Sequence, residues 1–244
     1  MSATDPGKGL REAASAYYRS AGRFAWHFAR GKLRGDPAYR LILEQGLLAG
    51  CSRLLDLGAG QGLLAAWLLA ARSCHALGRA GAWPQRWPAP PLLESYTGIE
   101  INPKEVHRAR QAFAPAAAAL VRMLHADILD ADYGSPDGIV MLDVLHYNDF
   151  HAQEQILGRA RAALSPGGAL LLRIGDAAGG QAFTLSKALD QGVALLRRRR
   201  WLPLHCRTLG NWQALLAELG FSTRTVAVSR GTAFTNTLLI GKAA

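Results

Sequence analysis

Residues 53–63 read RLLDLGAGQGL: a short apolar run closes on an acid, and glycine then takes alternate positions, Gly58, Gly60 and Gly62. Glycine permits positive φ and lets a ligand lie against the main chain. A dinucleotide site needs G-x-G-x-x-G, but here the third glycine comes one residue early and Leu63 stands in its place. A phosphate loop needs a Lys after the last glycine, and none follows. Asp56, two residues ahead of the first glycine, would repel a pyrophosphate. An acid before G-x-G-x-G suits a ligand that carries positive charge.

Further carboxylates close three more apolar runs: Glu100 in GIEINP (98–103), Asp127 in HADILD (125–130) and Asp143 in IVMLDVLHY (139–147). The last run continues into His146 and Tyr147. Imidazole titrates near neutrality, so His146 is the first candidate for a general base, with Tyr147 and Asp176 as alternatives. A partly buried histidine with a structural role would read the same way.

LLDLGAGQGLLA resembles motif I of the class I S-adenosylmethionine (SAM) dependent methyltransferases. GIEINP, HADILD, IVMLDVLHY and LSPGGALLLRIGD (164–176) are similar, in the family's order, to its following strand motifs. The resemblance implies a Rossmann-like, doubly wound α/β fold. Its mostly parallel seven-stranded sheet ends in an antiparallel C-terminal hairpin. It implies SAM as cofactor and S-adenosyl-L-homocysteine as product. Gly58, Ala59, Gly60 and Gly62 would line the methionine part, with Asp56 close by. Glu100 would accept both ribose hydroxyls, since a carboxylate matches a vicinal diol. Asp127 would accept from the adenine amino group, with Ile101 and Ile128 on either side of the ring. Asp143 and Val144 would lie beneath the methionine moiety. Glu100 follows Asp56 by 44 positions, where an acid about 20 residues after the glycines is usual. An insertion over 72–95 accounts for the excess.

The elements that must position these residues follow from pattern. Residues 10–31 space aromatic and small apolar side chains as one helix, broken by Gly31 and Gly35. A second helix over 37–49 starts with Asp36 as N-cap and Pro37 in its first turn. Strands alternate with helices from residue 53 to 176, which implies a mainly parallel sheet covered on both faces. Asn102 caps a helix entered through Pro103, an amphipathic helix spans 150–164, and Asn211 caps a helix over 211–220. The two strands after Gly220 form a closing hairpin. Residues 1–50 are then an N-terminal helical cap or lid, and 51–244 the SAM-binding domain. The segment 177–210 is expected to cover the acceptor.

The chain of 244 residues carries a formal net charge of +10. That favours acidic partners, although an arginine-rich solvated surface gives the same balance. Three scattered cysteines without a C-x-x-C pair fit reduced thiols, with neither a disulfide framework nor metal-ligand spacing. With no apolar signal segment near residue 1, a cytoplasmic location is expected. The Asn/Asp-Pro-Pro-aromatic tetrad of amino-group methyltransferases is absent after Leu142. DVLHY instead resembles small-molecule methyltransferases of secondary metabolism. The segment over 17–40 is similar to methyltransferases of bacterial aryl-polyene or polyketide-like pathways. The resemblance therefore implies O- or C-methylation of a small-molecule acceptor, carboxylate-bearing or tethered to an acidic carrier protein. Tyr18, Arg23, His205 and Arg207 are candidate acceptor contacts. Arg19, Lys32 and Arg197–Arg200 could draw in an anion or rest on an anionic membrane. Three other classes stay open: a nucleic-acid methyltransferase, which charge supports; a non-catalytic SAM-fold scaffold; and a nicotinamide oxidoreductase, which the glycine spacing disfavours.

Overall fold

The computed structural model describes residues 7–77, 83–114, 116–175, 204–228 and 236–243. Asp176, Arg197–Arg200 and most of the segment expected to cover the acceptor lie outside them.

The first unit runs to Ala131. Helix α1 (Lys8–Ala16) is followed by a 3-10 turn (Tyr17–Arg19), α2 (Arg23–Gly35) and α3 (Pro37–Glu44). The single helix expected over 10–31 is thus two, because Gly22 takes φ +98° between them, while Gly31 continues inside α2. The start of α3 is as expected: Pro37 opens it and the Asp36 carboxylate accepts from Ala38 N at 3.0 Å. Strands β1 (Arg53–Leu57), β2 (Ser95–Glu100) and β3 (Val121–His125) pair in parallel, with Leu57 beside Ile99 and Glu100 beside His125. Between them lie α4 (Leu63–Ala76) and α5 (Pro103–Phe113).

Every residue of α4 from Leu63 to Ala71 is buried. A helix apolar all round must be covered on all sides; α1 packs on it, and the Trp67 indole donates to Tyr39 O of α3 at 2.7 Å. The N-terminal helices therefore complete the core of this unit. Asn102 caps α5 by accepting from Lys104 N at 3.0 Å, with Pro103 in the first turn. In the insertion, Trp87 is buried and edge-on to Trp83.

The second unit begins at Asp132. It contains β4 (Gly138–Leu142), a 3-10 turn (Leu145–Tyr147), α6 (Phe150–Ala163), β5 (Ala169–Gly175), α7 (Leu209–Glu218), β6 (Phe221–Ala227) and β7 (Asn236–Ala243). Strands β4 and β5 are parallel, β7 pairs antiparallel with β5, and β6 antiparallel with β7. The N-cap of α7 is Thr208, whose hydroxyl accepts from Asn211 N, so the helix starts two residues before the expected cap.

The strands form one seven-stranded sheet in the order β3-β2-β1-β4-β5-β7-β6. Two antiparallel steps return β6 to the direction of β5, so β7 alone opposes the other six.

Candidate functional site

The first unit supplies the glycine loop. After β1 the chain takes φ +78° at Gly58, +55° at Gly60 and +73° at Gly62 before entering α4. Gly58 N and Ala59 N both donate to Ile99 O, at 2.9 and 3.0 Å, and Gly62 N donates to Ala59 O at 2.8 Å. The glycines serve different ends. A Cβ built on Gly60 meets nothing within 4 Å, so the main chain there borders open space. A Cβ on Gly62 would lie 2.8 Å from the Phe113 ring, so the protein's own core demands that glycine. Gly60 combines a left-handed backbone with room for a ligand, where Gly62 does not.

Glu100, at the end of β2, holds this loop. One carboxylate oxygen accepts from Gly60 N at 2.9 Å and the other from Asn102 N at 2.8 Å. The carboxylate therefore stands between the loop and the start of α5, half-buried. Ile101, the next residue, is 43 % exposed, a large apolar side chain left at the rim.

Asp56 lies deeper than the sequence alone implies. It is buried and accepts the Tyr96 hydroxyl hydrogen bond. Burial raises its pKa from 3.8 to about 7; the charge of Glu100 pushes the same way, and the Tyr96 bond pulls it down. Burial also holds the Tyr96 phenol well above its ordinary value. Tyr18, a candidate acceptor contact, instead sits wholly inside the core, where its hydroxyl donates to Gln61 O at 2.8 Å and its ring meets the Phe113 edge. It props the loop from within. The Gln61 side chain is itself buried. Arg23 is exposed at the first position of α2.

Asp127 opens the turn after β3. Its carboxylate accepts from Leu129 N at 2.9 Å, and its carbonyl from Asp130 N and Ala131 N. Ile128 is buried beside it, and His125 Nε2 lies 3.1 Å from Ile101 O. Glu100, Ile101, Asp127 and Ile128 thus fall on two neighbouring strand ends of one unit, with the glycine loop on the third. This arrangement fits the nucleoside expected of it: bare main chain at Gly60, a carboxylate beside it, and an exposed apolar side chain next in sequence.

In the second unit, β4 ends at Leu142 and Asp143 takes φ +59°, the one described non-glycine residue with positive φ. Arg173 of β5 approaches it, Nε to carboxylate 3.1 Å, as a charge contact rather than an aligned hydrogen bond. Val144 then leads into the 3-10 turn that carries His146 and Tyr147, both half-buried, with ring centroids 4.2 Å apart. The segment from Leu204 returns to this turn: His205 N donates to His146 O at 2.9 Å.

Gln153 of α6, unremarked in the sequence, fastens that return. It is fully buried, and its two amide hydrogens are shared among three carbonyls within reach: His205 O at 2.8 Å, Asn148 O at 3.0 Å and Leu145 O at 3.1 Å. Its oxygen accepts from Arg207 Nε at 3.0 Å. Arg207 also donates to Phe150 O and Glu154, and its guanidinium lies over the Phe150 ring at 4.8 Å. Arg207, expected at an acceptor, is spent on α6. His205 rests edge-on to Phe150. Among the described residues, no group of three or more His, Cys, Asp or Glu could hold a metal ion, and no helix is long and apolar enough to cross a membrane.

A family model described as a methyltransferase domain matches residues 55–170. An O-methyltransferase family protein from Burkholderia thailandensis is similar in structure, with 20% identity and a TM-score of 0.62 over 98% of this chain and 68% of that one. Human N-acetylserotonin methyltransferase, solved with SAM, gives 20% identity and 0.58 over 98% of this chain and 61% of that one. Magnesium protoporphyrin IX methyltransferase from Synechocystis PCC 6803, solved with S-adenosyl-L-homocysteine, gives 17% identity and 0.59 over 96% of each chain. This chain thus spans about three fifths to two thirds of the first two structures, whose length exceeds its own. No curated protein matches at the same stringency.

Proposed function

We propose that this chain carries a class I SAM-dependent methyltransferase domain, a reading the family model over residues 55–170 supports, and that it methylates a small-molecule acceptor at oxygen or carbon. The observation that carries the reading is the Glu100 carboxylate at the end of β2, bonded to the loop at Gly60, where the main chain borders open space. When bound, SAM supplies an electrophilic methyl group on a sulfonium. Gly58, Ala59 and Gly60 offer the backbone surface for its methionine part. Glu100 takes the ribose hydroxyls, Asp127 the adenine amino group, and Ile101 and Ile128 the two faces of the ring. Asp56 acts from beneath: its bond with Tyr96 fixes the strand end from which the loop springs.

On the acceptor side, His146 takes up the proton of a hydroxyl or carbon acid on an imidazole nitrogen, with Tyr147 orienting the ring. Asp143 and Val144, beside that turn, bound the acceptor. In-line methyl transfer depends on alignment, and well-oriented reactants gain on the order of 7–11 kcal/mol over a bimolecular encounter. The buried amide of Gln153 supports that alignment, since one side chain fixes the carbonyls of Leu145, Asn148 and His205. The acceptor form that best suits a net charge of +10 carries a carboxylate, free or on an acidic carrier.

Calorimetry tests the reading. The chain should bind S-adenosyl-L-homocysteine and ignore NADH, and Glu100→Ala should weaken the first by about 100-fold, as expected for losing a two-point charged contact. Binding of NADH in preference would overturn it.

A further inference from the structure

Helix α2 presents a face that the methyl-transfer reading does not use. Arg23, His27, Arg30 and Arg34 recur at i, i+4, i+7 and i+11, which places them on one side of a helix. All four are exposed. The opposite side, Ala25, Ala29 and Leu33, is buried. At 100° per residue, Phe24 and Phe28 flank the basic stripe on one side and Trp26 on the other. Phe24 is 64 % exposed, and the helix contains neither Asp nor Glu. A cationic stripe bordered by aromatic rings is what a helix lying in a lipid headgroup layer offers.

We infer that the exposed face of α2 docks on an anionic bilayer, basic side chains on the headgroups and the edges of Phe24 and Trp26 at the acyl boundary. The rings favour lipid over nucleic acid. Single strands bind by stacking bases on free aromatic faces. The rings here are already partnered: Phe28 lies near-parallel to Phe24 at 6.3 Å between centroids, and the Arg108 guanidinium lies over Phe24 at 4.6 Å. Arg30 likewise lies over Trp26 at 4.8 Å. Their exposed apolar surface beside the basic stripe suits a hydrocarbon boundary. An acidic carrier protein could engage the arginines as well, and its binding is one outcome of the test that follows. The docked face belongs to the unit that holds Glu100 and the glycine loop, so docking would bring the cofactor-binding half to the membrane surface.

Sedimentation with sucrose-loaded vesicles decides the matter. The full chain should bind vesicles of equal parts phosphatidylcholine and phosphatidylglycerol at least about tenfold more tightly than phosphatidylcholine alone, and added salt should weaken that binding. The double variant Arg30→Glu/Arg34→Glu should lose about tenfold or more on anionic vesicles, given roughly fivefold per basic side chain. Phe24→Ser should weaken binding while keeping the same salt dependence, which charge alone would not produce. Far-UV circular dichroism and the melting temperature verify folding, and Arg30→Gln/Arg34→Gln substitutes if the reversal unfolds the chain. Equal binding to both vesicle types, none to either, or anionic binding that survives the double variant would overturn the inference. So would retention on an oligonucleotide or an acidic carrier protein where vesicles fail.

Discussion

In the first unit three polar side chains bracing the glycine loop are committed to a neighbour or to main chain: Tyr96 to Asp56, Tyr18 to Gln61 O, Glu100 to Gly60 N and Asn102 N. In the second unit the residues with reactive chemistry, His146 and Tyr147, stay half-exposed on a short 3-10 turn, and the rigid groups around them are Gln153 and Arg207. On the proposed reading, the donor side is a fixed cradle of backbone and buried hydrogen bonds, and the acceptor side is a small turn beside one buried amide. Preorganisation of this kind suits a cofactor shared by many enzymes, whereas the turn leaves room for acceptors to differ.

Substitutions should separate the two halves. His146→Ala should lower turnover by about 10²–10⁴-fold, the usual worth of a general base, while leaving the affinity for S-adenosyl-L-homocysteine unchanged. Steady-state rates and calorimetry on one preparation check both. A loss of cofactor affinity in this variant would break the division.

Asp56 should show the cost of the cradle. With its pKa raised from 3.8 to about 7 by burial, the native state holds that proton more tightly than the unfolded chain does. Its contribution to stability is therefore complete below about pH 4, falls as the pH climbs toward 7, and is flat above that. The total is roughly 4 kcal/mol at most. Denaturant unfolding between pH 5 and 8 should show this decline in the wild type, and Asp56→Asn should flatten it. A slope that survives the substitution would assign it elsewhere.

Tyr18→Phe has the smallest expected effect. It removes the donor to Gln61 O and leaves a buried carbonyl unpaired, worth about 1–2 kcal/mol of stability. It should weaken cofactor binding a few-fold without altering turnover at saturating cofactor. Reduced turnover at saturation would put Tyr18 back at the acceptor.

Local signals made the cradle legible. Asp36-Pro37 and Asn102-Pro103 announce their helix starts because a cap and a fixed φ act within three residues. The glycine spacing likewise records a backbone path. Tyr96 was not legible as the partner of Asp56, since the two meet only when β1 and β2 pair, 40 residues apart. Tyr18 reads as one of an aromatic series on a single helix, whereas it lies on the 3-10 turn after α1 and is buried in the core. Arg207 and His205 read as basic groups near an acceptor; their ties to α6 run through Gln153, more than 50 positions earlier, and nothing in the pattern around a glutamine marks it as buried. The α7 cap was misplaced because Thr208 and Asn211 are both good capping residues, and only the path of the chain chooses between them.

The account rests on Glu100, and a crystal structure of the chain with S-adenosyl-L-homocysteine tests it most directly. The predicted result places both ribose hydroxyls within hydrogen-bond distance of the Glu100 carboxylate, with the amino-acid end of the ligand along Gly58–Gly60. Ribose hydroxyls bound elsewhere, or a ligand lying away from that loop, would contradict it.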